Sequence, residues 1–374
     1  MEEAVDFFDE VTDYREYGRC RHELSDIIWL VLCGLLADCD TFEDIYDYAC
    51  DKEPVLREFL ALPAGIPSHD TLNRVFRHLD PQQLEACLSR WGTAIVAQLA
   101  RRQLIVDGKQ LRGTTPAGRR QAPVQLVSVW AAEQRLCLAH TPVAEKRSEA
   151  AAMPQVLELV DVAGSVVSLD ALGTQPALAA RLLARKADYV LALKQNQREL
   201  FAQVQAHFAS LLAQPPAYEQ REKGHGRGEQ RCLWLSRTFP LVEAADAWRG
   251  LHTLVCVQTT RWQHERASTA TRYYLCSLAE ASAAELAGYI RGHWGIENHQ
   301  HWHLDVTWNE DGCRCRCDHA PRNLSTLRKL ALSVLQRDET VMSLRRKRKK
   351  IARDDQFLRQ VLAQLDSQPE LEPS

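Results

Sequence analysis

No apolar run in this 374-residue chain reaches the roughly 20 residues a membrane-spanning helix needs. The longest, Ile27 to Ala37, reads IIWLVLCGLLA, the length of a buried core helix. No charged opening followed by an apolar segment is present, so neither a secretory leader nor a membrane partner is expected. Glycine and proline are few, 17 and 15 residues, which excludes collagen-like and low-complexity chains, and a hydrophobic share of 45% excludes a disordered one. The 12 cysteines are scattered without the density of a secreted disulfide scaffold, and a cytoplasmic location is expected.

Net charge is also small, −3, but it is unevenly spread. Residues 1 to 80 carry 19 acidic against 7 basic side chains, whereas residues 314 to 353 carry 13 basic against 3 acidic. The run Arg345, Arg346, Lys347, Arg348, Lys349, Lys350 has the charge to neutralise phosphates and attract nucleic acid; a solvated basic tail is the alternative.

Through residues 1 to 95, apolar side chains recur at three- and four-residue spacing (Leu24, Ile27, Ile28, Val31, Leu32, Leu35), the period of packed helices. Ser68 or Asp70 is placed to cap a helix through Leu72, Val75 and Phe76. From Arg101 to Lys109 the pattern turns to a β run, followed by VQLVSVWAA and RLCLAHTPV about a polar turn at Glu133 and Gln134. A helix from Glu149 to Asp161, the strand SVVSLDAL, a helix from Pro176 to Lys186 and the strand DYVLALK complete a βββαβαβ order. After a helix from Leu200 to Leu212, three strand-like runs (CLWLSRTF, HTLVCVQTTRW, TRYYLCSL) break the alternation. A helix from Ala283 to about Leu304 follows, although Gly288, Gly292 and Gly295 each weaken it by about 1 kcal/mol against Ala.

Three acidic residues stand out. Asp107 ends the strand LIVDGK and Asp170 ends SVVSLDALGTQ, with Gly108 and Gly173 close by to let the chain turn. Both carboxylates are expected at the carboxyl ends of central strands, where open α/β sheets hold their ligands. Glu297 lies in RGHWGIENHQHWHLD. Converging carboxylates repel one another unless hard cations such as Mg²⁺ take up their oxygens, and a pair of such ions suits phosphodiester chemistry. Taken singly, a strand-end Asp is more often a turn residue.

The residues also match a family. The segments GIPSHDTLNRVFRHLDP, IVDGKQLRG, EKRSEAAAMPQVLELVD, VVSLDALGTQ, DYVLALKQNQ, HGRGEQR, IRGHWGIENHQHWHLDVTWNEDGCRCR and APRNLSTLRKLALSVL occur in this order, after FFDEVTDYREYGRCRHELSDIIWLVLCGLLADCDTFEDIYDYA. From about Phe7 to about Leu362 the chain resembles the DDE transposases of bacterial insertion sequences, in the branch that includes H-repeat-associated proteins. The resemblance implies an α/β, RNase H-like catalytic core, a mixed sheet flanked by helices, over 96–340, with a β-strand insertion at about 218–280. A helical transposase-associated domain over 1–95 precedes it and a basic tail over 341–374 follows. It implies that Asp107, Asp170 and Glu297 are the catalytic and metal-binding residues, holding two Mg²⁺ ions for which Mn²⁺ can substitute. The implied activity is cleavage at the element's ends and joining of the 3′ hydroxyl to target DNA, with terminal inverted repeats and target as partners and at least a dimer in the active assembly. A nuclease that cuts without joining, and an inactive DNA-binding remnant, are the alternatives.

Where the wider group carries an Arg four residues before the glutamate and a Lys seven after it, this chain has His293 and Leu304. Lys194, Arg227, Arg291, Arg314 and Arg316 are the candidate DNA contacts, with His293 as an imidazole contact; His225, Gly226, Arg227 and Arg231 read equally as a loop or strand touching a DNA end and as a polar turn of the insertion. The branch's Lys-Ser-Asn-Glu reads Lys146, Arg147, Ser148, Glu149 here. The cluster His293, His299, His301 and His303 lacks the metalloprotease spacing, so packing beside Trp294 and Trp302 or DNA contact is expected ahead of zinc binding. Cys313, Cys315 and Cys317 alternate at single-residue gaps, read as a strand that turns its thiols toward a core.

Overall fold

A computed structural model describes residues 6–16, 18–96, 102–115, 123–143, 149–224, 227–239, 242–263 and 266–365. Arg101, Lys146, Arg147, Ser148, His225 and Gly226 lie outside the described residues, as does the chain beyond 365.

The longest apolar run forms α1 (Leu24–Leu36), in which every side chain except Ser25 is buried. A helix apolar on all sides belongs inside a core. Its one buried carboxylate, Asp26, is satisfied by the backbone N–H groups of Ala61 and Leu62 at 3.2 and 2.7 Å. Thr41 and Asp44 close a capping box on α2 (Phe42–Leu56), and Ser68 caps α3 (His69–His78), which α4 (Pro81–Val96) follows. The first strands are β1 (Gln103–Leu111), β2 (Val124–Ala131) and β3 (Leu136–Pro142), the last two forming an antiparallel hairpin. Next come α5 (Glu149–Glu158), β4 (Val166–Leu169), α6 (Pro176–Ala184), β5 (Asp188–Leu193) and α7 (Arg198–Leu211). β1 pairs parallel with β4, and β4 parallel with β5.

Among the described residues the insertion holds four strands rather than the three read from sequence: β6 (Tyr218–Gly224), β7 (Arg227–Ser236), β8 (Thr253–Gln263) and β9 (Arg266–Cys276). β6 escapes the pattern because YEQREKG has no apolar alternation. It is an edge strand held by its ladder to β7 and by charged pairs. The nine strands form one mixed sheet in the order β3-β2-β1-β4-β5-β9-β8-β7-β6. The order β3-β2-β1-β4-β5, a hairpin beside parallel strands, is the RNase H-like core expected from the sequence.

The helix expected from Ala283 to Leu304 is broken. α8 ends at Gly292, a π-helical turn spans Glu297–His301, and α9 is the short Trp302–Val306. A Cβ on Gly292 would collide with the Gln103 side-chain carbonyl, so glycine there serves close packing. Residues 313–316 form no strand, contrary to the alternation reading, and of the three thiols Cys317 is exposed. α10 (Ala320–Arg337), α11 (Leu344–Ile351) and α12 (Asp355–Leu362) complete the chain.

Compactness divides the chain into one unit of Met1–Gln98, Gly108–Arg147 and Ile296–Ser374 and another of Leu99–Asp107 and Ser148–Gly295, so β1 contributes to both. These units cut across the segments 1–95, 96–340 and 341–374 read from sequence. In the first unit the N-terminal helices share a core with α10, while the basic run forms α11, in which Lys347 and Arg348 are buried. In the second, Val166, Val190, Val255, Cys276, Leu286 and Ile290 form the core beneath the sheet.

Candidate active site

The parallel register of β1 and β4 ends with Val106 opposite Leu169. The next residues are Asp107, still within β1, and Asp170, the first residue past β4, so the two follow directly on the last paired step of neighbouring parallel strands. Both are half-buried. Asp170 is also a turn residue: its Oδ1 accepts from the N–H groups of Leu172 (2.9 Å) and Gly173 (3.3 Å), which fixes the direction of the carboxylate. A Cβ on Gly173 would press on Met153 and Leu169, so the turn closes tightly.

A buried polar network lies on the same face, two and four residues before the aspartates. Gln103 Nε2 donates to Ser168 Oγ (3.0 Å) and to the Tyr289 carbonyl (2.7 Å), and Ser168 Oγ meets His293 Nδ1 at 3.1 Å. These bonds fasten the end of α8 to β1 and β4. Burial, with Asp170 opposing and Lys194 reinforcing it, pushes His293 down to about 4. At neutral pH His293 is therefore an uncharged hydrogen-bonding group, not a replacement for an arginine.

Beside Asp170 opens a cavity of about 710 Å³ whose walls include Lys194, Asn196, Phe201, Arg272 and Tyr273. Lys194 is exposed just beyond β5 and Asp170 lies just beyond β4, both at the carboxyl ends of parallel strands, whereas Asp107, expected to end its strand, sits inside β1, which runs on without a turn at Gly108 to Leu111. Arg272 was not singled out by sequence. It lies on β9, half-buried, with its guanidinium 5.6 Å from the Trp294 ring centre. Nothing in a local motif marks it; only the pairing of β9 with β5 brings it to Asp170.

Other candidates have partners. Arg291 forms a two-pronged ion pair with Glu222, its Nη2 3.0 Å from Oε2. Arg316 Nε donates to the Gly113 carbonyl at 2.8 Å, and Arg314 is exposed. Arg227 is the first residue of β7, opposite Gly224 and Gln263.

Glu297 belongs to the first unit, where it opens the π-helical turn and is exposed. Such turns recur at functional sites because they shift which side chains share a helix face. The neighbouring histidines are anchored there. His299 stacks on Trp130 and its carbonyl accepts from Gln336, His301 is buried, and His303 Nδ1 lies 3.1 Å from Thr307 Oγ1. In the same unit Lys109, two residues past Asp107, makes a 2.5 Å ion pair with Asp305. Among the described residues no group of three or more His, Cys, Asp or Glu forms a ready ligand set. The adjacent Asp107 and Asp170 still offer the hard oxygen donors that Mg²⁺ prefers, so the donor chemistry fits.

The Transposase DDE domain family matches residues 98–334, and the DDE_Tnp_1-associated family matches residues 5–92. The chain belongs to the DDE transposase family. Within it, this transposase-family chain is 30% identical to the "Putative transposase YncI" of Escherichia coli O157:H7, over 97% of this chain and 95% of that one. It is also 30% identical to the "H repeat-associated putative transposase YhhI" of Escherichia coli K12, over 97% and 98%. These place it in the H-repeat branch. A solved piggyBac transposase synaptic complex with hairpin DNA aligns at 12% identity and a TM-score of 0.45, over 96% of this chain and 80% of that one.

Proposed function

We propose that this chain is a DNA transposase that cuts at the ends of its element and joins the freed 3′ hydroxyl to target DNA by two-metal phosphodiester chemistry. The observation that carries the reading is that Asp107 and Asp170 directly follow the last paired residues of the parallel β1 and β4 ladder, within a chain of the DDE transposase family. Together with Glu297 they would hold two Mg²⁺ ions, or Mn²⁺ in their place. When bound, such a pair of ions activates an attacking oxygen and stabilises a leaving one.

The chain's own residues set the geometry. The turn from Asp170 to Gly173 holds one carboxylate oxygen against two backbone N–H groups, so Asp170 presents a fixed face. The Gln103, Ser168 and His293 network keeps α8 on the strands that carry both aspartates, without adding a charge. DNA supplies both substrates, the element's terminal inverted repeats and a target duplex. Bringing two ends together calls for at least two copies of the chain in the active assembly.

The test is incubation of the purified protein with a labelled duplex carrying the element's own end and an unlabelled target, in Mg²⁺. Label transferred covalently into the target is expected. Cut ends that never become joined would point instead to a simple nuclease.

A further inference from the structure

We propose that Lys194 and Arg272 form a clamp for one DNA phosphate beside Asp170, supplying the cationic contacts that His293 and Leu304 do not. The inference rests on the DNA-processing reading above. The antiparallel ladder of β5 and β9 ends with Leu193 opposite Tyr273, so the next step sets Lys194 across from Arg272. Like charges directly opposite each other on paired strands are destabilising unless an anion is shared between them.

Neither cation meets an acidic side chain among the described residues, and this separates them from their neighbours. Arg291 pairs with Glu222, Arg231 with Glu222 and Glu229, Arg261 with Glu229, and Arg221 with Glu219. Those arginines are neutralised within the fold. Arg272 is instead seated against the Trp294 ring at 5.6 Å, which orients its guanidinium without cancelling the charge. Both cations wall the same 710 Å³ cavity as Asp170. A planar guanidinium can grip two phosphate oxygens at once and an ammonium adds a point charge, so the pair suits a phosphodiester of a DNA strand.

A salt series of binding to the labelled element-end duplex, with a scrambled duplex alongside, tests the clamp. Lys194→Ala and Arg272→Ala are each expected to lower the slope of log affinity against log salt by about one, and equally on both duplexes, because phosphates carry no sequence. Arg272→Lys is expected to keep the wild-type slope. Arg181→Ala, which removes a guanidinium already paired with Glu158, is expected to leave the slope unchanged. Wild-type slopes in both alanine variants, with wild-type protein still cutting DNA, would overturn the clamp and leave the transposase reading standing. A loss in Arg272→Lys as large as in Arg272→Ala would mark a packing role and also overturn it. Wild-type protein that binds neither duplex would remove the DNA-processing reading, and the clamp with it.

Discussion

Burial sets the charge state of several histidines. It holds His140 and His303 down to about 4 and His301 down to about 3, with Lys329 adding to the effect at His140 and His301. All three are neutral in the folded chain at pH 7, whereas in the unfolded chain each protonates near pH 6.5. Below that point the unfolded state binds more protons, so stability is fully present above about pH 6.5 and falls as pH drops toward 4. Calorimetry across that window should show a steadily falling unfolding temperature; a flat or rising one would contradict the buried-neutral assignment. Lys109 is the second residue-scale case. Its pair with Asp305 is enclosed on the lysine side, and Lys109→Met should cost about 2 kcal/mol of stability in a denaturant titration.

Among the elements, α11 shows how composition misleads. Its six consecutive basic residues read as a phosphate-facing run, yet Arg348 is fully buried. It donates to the carbonyls of Leu35 (3.0 Å), Cys39 (3.3 Å) and Thr307, pairs with Asp38 and Asp40, and stacks over Trp308 at 4.8 Å. Arg348→Ala should therefore cost about 3 kcal/mol by stranding those partners, while Arg345→Ala and Arg346→Ala, both exposed, should stay within about 0.5 kcal/mol. Chemical denaturation of the three variants separates the cases. Hydrophobic pattern made α1 and the βββαβαβ order legible, because α1 is a continuous apolar run buried nearly all round and β4 is a short apolar run buried throughout. It could not foresee β6, whose cross-strand partners are polar, nor the break after α8, where Gly292 packs against Gln103 from a strand far away in sequence. Gly292→Ala should destabilise by about 1–3 kcal/mol through that clash, again readable by denaturation.

For the molecule as a whole, Asp170 was legible because a polar residue closing an apolar strand is conspicuous, whereas Asp107, read the same way, lies inside a strand that continues to Leu111. That the two follow one paired step was not legible, since it needs the register of β1 against β4. Arg272 was invisible for the same reason, its relevance arising from β9 lying beside β5. The central proposal is that Asp107, Asp170 and Glu297 act together in DNA cutting and joining. Its most direct test is cleavage and strand transfer on the element-end duplex in Mg²⁺ and in Mn²⁺, comparing wild type with Asp107→Ala, Asp170→Ala and Glu297→Ala. Cutting and joining by wild type, with all three variants folded, binding DNA and inactive, is the predicted result. An alanine variant that cuts and joins at the wild-type rate, or a folded, DNA-binding wild type that is inactive in both metals, would contradict it.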